Sequence, residues 1–132
     1  GTGIQHSEIN QNNEAVHLLQ IWIIPNVQNT EPTYQQIKCD PQQTPNTWQL
    51  IAGPNANAAM HIRQNTEVKT AFLEKGHTLD VEATQKFNYV HVIAGEIEIA
   101  GQIVRAGDAL FFDDSATIES NVDSQFIWFD LV

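Results

Sequence analysis

From Trp48 to its last residue the chain reads as short β segments separated by turn residues, a rhythm that only a sandwich or a barrel accommodates. Trp48-Gln49-Leu50-Ile51 is a short strand, and Gly53-Pro54-Asn55 turns the chain after it. The clearest pair is Tyr89–Ala94 and Glu96–Ala100, expected to face each other around Gly95. In the second of these, Glu96 and Glu98 alternate with Ile97 and Ile99, which predicts one wet face and one buried face. Ala106-Gly107-Asp108 makes a turn, Leu110-Phe111-Phe112 follows as a strand, and Phe126-Ile127-Trp128-Phe129 closes the series. No internal repeat and no amphipathic helix of useful length interrupts it, so the class is all-β.

Ahead of this series lie two stretches of different character. Leu18-Leu19-Gln20-Ile21-Trp22-Ile23-Ile24 is rich in β-branched and aromatic residues and stops at Pro25. It is too continuously apolar to keep one face in water, and is expected as a strand buried on both sides. From Asn26 to Asn46 the composition shifts to Gln, Asn, Thr and Pro, with Pro32, Pro41 and Pro45 breaking any regular element; this is a connecting arm.

A chain of 132 residues can bury one substantial core. Sixteen acidic against six basic residues give a formal charge of −10 and no basic stripe to neutralise phosphates, which argues against nucleic acid and anionic membranes as partners. Cys39 is the only cysteine, so a disulfide within the chain and a cysteine-based zinc site are both excluded. The start lacks a basic and apolar leader, and Leu18–Ile24 is too short to span a bilayer, so the expected location is the cytoplasm. The chain opens on Gly rather than Met, as a processed chain or a piece of a longer protein would.

The chemical signal is at the front. If Gly1–Asn10 is extended, alternation sends His6 and Glu8 to one face, where an imidazole and a carboxylate can grip one metal ion. Two ligands do not close a site, and no other His or Glu lies near enough in sequence to complete this one. His17, at the head of an apolar strand, reads as a hydrogen-bonded structural residue, and His61, His77 and His91 stand apart without ligand partners. Trp22, Trp48 and Trp128 read as core or interface residues. Cys39, beside Lys38, has no base to activate it and reads as inert.

The glycine before a strand, the Gly-centred hairpin, and the Ala-Gly-Asp turn before an aromatic strand together resemble the second half of a cupin barrel. The segment Gly1-Thr2-Gly3-Ile4-Gln5-His6-Ser7-Glu8, then His17-Leu18-Leu19-Gln20-Ile21-Trp22-Ile23 with Pro25, then Glu31-Pro32-Thr33-Tyr34, resembles the middle of the pirin family of two-barrel cupins. The resemblance implies a cupin barrel (a double-stranded β-helix, or jelly roll) preceded by strands left from a second cupin barrel. Residues 1–25 would be the tail of the N-terminal, metal-binding barrel, 26–47 the connecting arm, and 48–132 the C-terminal barrel.

It also implies one divalent metal in the intact protein, iron first and copper, nickel or zinc as alternatives, held by His6, Glu8 and two histidines expected before the first residue. Some bacterial relatives cleave the flavonol quercetin with molecular oxygen, so the intact form is expected to be a flavonol dioxygenase. This chain alone is expected to be inactive, with metal absent or weakly held and no catalytic residue assigned in it. Counted from Gly76, the positions where a metal-binding cupin places its ligands fall near Glu82, Thr84, Asn88 and Leu110, which implies a second barrel without metal, its interior packed or holding no more than an apolar pocket. The alternatives are a non-catalytic interaction module, a pirin-type regulatory protein, or a small cupin completed by dimerising. A homo-oligomer follows if Val16–Ile24 lacks its cover.

Overall fold

The computed structural model describes residues 3–132. Among these described residues ten strands follow one another: β1 (Gln49–Gly53), β2 (Met60–His61), β3 (Glu67–Leu73), β4 (Thr78–Val81), β5 (Phe87–Ala94), β6 (Glu96–Ile99), β7 (Gln102–Arg105), β8 (Ala109–Phe112), β9 (Ala116–Ser120) and β10 (Ser124–Leu131). They form a six-stranded sheet in the order β2-β1-β3-β10-β5-β8 and a four-stranded sheet in the order β4-β9-β6-β7. The only helical element among the described residues is a 3-10 turn, Pro41–Gln43, capped by the Asp40 carboxylate on the Gln42 N–H. Among the described residues no helix is long and apolar enough to cross a membrane.

The alternations read from sequence set which side chains enter the space between the sheets. Ile97 and Ile99 are fully buried while Glu98 is exposed, as the period-two pattern requires. β10 is apolar on both faces because both of its faces are covered. Phe126 and Trp128 enter the barrel with Ala71, Leu73, Val90, Val92 and Ile118. Ile127 and Phe129 face the other way, into a second cluster with Ala52 and Val68 on the outer side of the six-stranded sheet. The central place of β10, between β3 and β5, makes it the spine of the fold.

The pairing expected around Gly95 is corrected. β5 lies in the six-stranded sheet beside β10 and β8, whereas β6 lies in the four-stranded sheet between β9 and β7. One residue is too short for a hairpin loop, whose shortest common form has two. Gly95, at φ +85, is instead the corner where the chain leaves one sheet for the other. The true hairpin comes next: β6 and β7 pair with Ile99 opposite Gln102, leaving Ala100 (φ 50) and Gly101 (φ 71) as a two-residue loop of the kind that needs positive φ twice. An alanine in that conformation is strained, so Ala100→Asn is expected to stabilise the chain by about 0.5–1 kcal/mol, read as a rise in thermal midpoint.

Residues 3–40 contain no strand. The expected buried strand at Leu18–Ile24 is therefore corrected as well: Trp22 is 86% and Ile24 83% exposed, while Ile23 packs against the outer cluster. A strand needs a neighbour for its backbone N–H and C=O groups. This segment instead meets the face of a sheet, which offers side chains and no free edge. The arm behind it is laced to the β2 edge: Asn26 N–H donates to the Arg63 carbonyl, Arg63 Nη1 to the Glu31 carbonyl, and the Gln35 amide exchanges two hydrogen bonds with the backbone of His61.

Candidate metal centre

His6 and Glu8 lie in an irregular, solvent-exposed segment, with no strand to impose alternation. Their spacing still brings the side chains together, His6 Nδ1 standing 3.5 Å from Glu8 Oε1. One imidazole nitrogen and one carboxylate suit a divalent first-row ion, and both side chains are more than half exposed, so either can turn toward one. Among the described residues no group of three His, Cys, Asp or Glu side chains gathers to hold a metal.

The remaining singled-out residues separate cleanly. His17 is exposed rather than at the head of a buried strand, and His61 and His77 are exposed on the surface. His91 is half-buried on the outer face of β5, where it shares a shallow groove with Tyr89, Ile127 and Phe129 under Leu19–Ile21. Cys39 Sγ donates to Gln49 Oε1 at 2.9 Å; burial, and then the Asp40 charge, push its thiol pKa up, away from reactivity. Trp128 is buried and Trp48 packs edge-on against Phe126, but Trp22 lies on the surface.

The cupin ligand positions of this barrel carry other work. Glu82 is exposed and Leu110 packs on the apolar core. Thr84 donates its hydroxyl and backbone N–H to Asp130 Oδ2, while Gln85 N–H donates to Asp130 Oδ1 at 2.9 Å. Asp130 is fully buried, and these bonds tie the loop before β5 to the C-terminal strand. Asn88 accepts a hydrogen bond from Trp128 Nε1 at 2.9 Å. Register places Glu67, Asp130, Asn88 and Phe112 in one row across the sheet, with Lys69, Trp128, Val90 and Leu110 in the next. Lys69 Nζ sits 2.9 Å from Glu67 Oε2 and 4.4 Å above the Trp128 ring. One end of the barrel interior is thus polar and the rest apolar. Sequence reading missed this end, although an acid inside the apolar run Phe126–Leu131 was a visible signal.

Comparison with known proteins agrees with this architecture. The family model of the quercetinase C-terminal cupin domain matches residues 50–131. The chain is 32% identical over 136 residues to the quercetin 2,3-dioxygenase of Escherichia coli K12, a match covering 99% of this chain and 58% of that protein. The chain therefore spans little more than half the length of that relative. Among solved structures, the bacterial pirin YhhW from Escherichia coli in complex with nickel(II) superposes with a TM-score of 0.75 at 24% identity, covering 83% of this chain and 48% of that one. The quercetin 2,3-dioxygenase from Acinetobacter baumannii superposes at 0.57 and 15% identity, over 68% of this chain and 34% of that one.

Proposed function

We propose a function from one premise: the chain belongs to the pirin family, with residues 50–131 as its quercetinase C-terminal cupin domain. The function is that of a metal-dependent dioxygenase cleaving flavonols such as quercetin, performed by the longer protein of which this chain supplies the second barrel and half of the metal site. The His6–Glu8 pair ahead of that domain is the observation that carries the reading. In this division, residues 1–25 close the first barrel, 26–47 connect, and 48–132 form the second barrel. The exposed strip Leu18, Ile21, Trp22 and Ile24 is the surface the first barrel covers.

A divalent metal held there would supply Lewis-acid chemistry toward a flavonol and oxygen. His6 would hold it by a ring nitrogen and Glu8 by a carboxylate oxygen. Downstream of that pair, the chain is anchored to the second barrel where Ile23 packs on the outer cluster and where the arm is hydrogen-bonded at β2.

Two measurements test this. The chain by itself, freed of any affinity tag, is expected to hold well under one metal ion per molecule by elemental analysis; one tightly held ion that disappears in His6→Ala would show the half-site reading to be wrong. The longer protein carrying the first barrel is expected to consume quercetin and oxygen together. His6→Ala or Glu8→Ala should cost it more than the roughly 10–100-fold typical of disturbing a ligand's hydrogen-bond partner. A longer protein that binds one metal through His6 yet leaves quercetin intact would replace the enzyme by a regulatory or interaction module.

A further inference from the structure

We propose that the polar end of the second barrel is a binding site for one internal water molecule, which accepts from Asn88 Nδ2 and donates to Asp130 Oδ1. Asn88 is fully buried, and its Oδ1 is committed to Trp128 Nε1 at 2.9 Å. An indole nitrogen only donates, so the amide cannot be turned over without setting donor against donor. Its orientation is therefore fixed by chemistry, and the buried Nδ2 has no hydrogen-bond partner among the described residues. A donor left bare in such a place carries its full desolvation cost, which an acceptor beside it removes.

The surroundings define that acceptor. Asp130 is the cross-strand partner of Asn88 on β10 and is equally buried, so the two side chains rise from opposed positions on one face. Asp130 Oδ2 already accepts from the Thr84 N–H and hydroxyl, while Oδ1 accepts only from Gln85 N–H and keeps a lone pair. The next position in the row is Glu67, whose carboxylate holds Lys69. An anion is disfavoured beside two carboxylates balanced by one ammonium. A cation is disfavoured by the N–H groups of Asn88, whose only oxygen is taken. An apolar guest satisfies neither side chain. What remains is a small neutral molecule that accepts and donates, which is the ordinary description of a structural water. It would join the start of β5 to β10 and to the loop at Thr84, and it explains why an amide and an acid occupy two positions that otherwise belong to the apolar core.

Two measurements on the unaltered chain decide this independently of any metal or flavonol chemistry. In a crystal structure fine enough to place ordered waters, a single peak within hydrogen-bond distance of both Asn88 Nδ2 and Asp130 Oδ1 is expected. In solution, the assigned side-chain NH2 of Asn88 in a 15N-labelled sample should show cross-relaxation of the sign produced by a long-lived bound water. A direct Asn88–Asp130 or Asn88–Glu67 hydrogen bond, a metal-like anomalous peak at that position, or an Asn88 amide with no water cross-peak would each overturn the proposal.

Discussion

Trp128→Ala is expected to lower the stability of this chain by about 3–5 kcal/mol, the range for emptying a large aromatic from a packed interior. Trp128 is 1% exposed, lies on the central strand, and its ring is 5.1 Å from that of Trp48. Lys69 Nζ rests on its face, and its N–H holds Asn88. Removal therefore opens a cavity, frees a half-buried ammonium and strips the donor from the Oδ1 of a buried amide. Trp128→Phe separates these contributions: it keeps most of the apolar volume but leaves Asn88 Oδ1 bare, and should cost less than the alanine. Urea unfolding followed by circular dichroism measures both. If the alanine variant lost less than about 1 kcal/mol, the interior would have to be loose enough to refill the space, contrary to the packing described.

The second large effect is at the corner between the sheets. Gly95→Ala is expected to cost about 2–5 kcal/mol, the sum of a left-handed backbone penalty and an overpacking penalty. At φ +85 an added Cβ would press on Ser124 Oγ and lie 2.5 Å from the Asp123 carbonyl oxygen. Ser124 cannot step aside without loss, because its hydroxyl accepts from the Glu96 N–H and lies within hydrogen-bond distance of the Glu96 and Val122 carbonyls. Gly101→Ala is the control. Gly101 also has positive φ, +71, but no atom lies within 4 Å of its added Cβ, so only the backbone penalty of roughly 1–2 kcal/mol should appear. Equal losses in the two variants, by thermal or urea unfolding, would show that the corner is not sterically closed.

Much of the fold was legible locally. The alternation of Ile97 and Ile99 with Glu98 gave the buried face of β6 without reference to any partner, and the Ala106-Gly107-Asp108 turn sits where its residues put it, Gly107 at φ +90. The apolar run Phe126–Phe129 was visible as a strand, though not as the strand at the centre of the larger sheet. β3, flanking it, was not foreseen, because Lys69 and Glu67 interrupt the apolar signal on the face that enters the barrel. Leu18–Ile24 had the composition of a buried strand and is not one here: composition reports an appetite for burial, and a strand also needs a neighbouring backbone.

The candidate site divides along the same line. The two-residue spacing of His6 and Glu8 is a property of the sequence, and it suffices to bring a nitrogen and an oxygen within 3.5 Å whether or not a strand forms. Family membership, too, could be argued from motifs spread along the chain. What only the tertiary structure decided is which distant residues share a row. Asn88 meets Trp128 across 40 positions and Thr84 meets Asp130 across 46, pairings set by strand register and by the sheet change at Gly95. Local sequence governs which way each side chain points along its own strand, because that follows from the backbone period; which strands lie side by side depends on closing long loops and burying both faces of β10 at once, and no short stretch of residues encodes that.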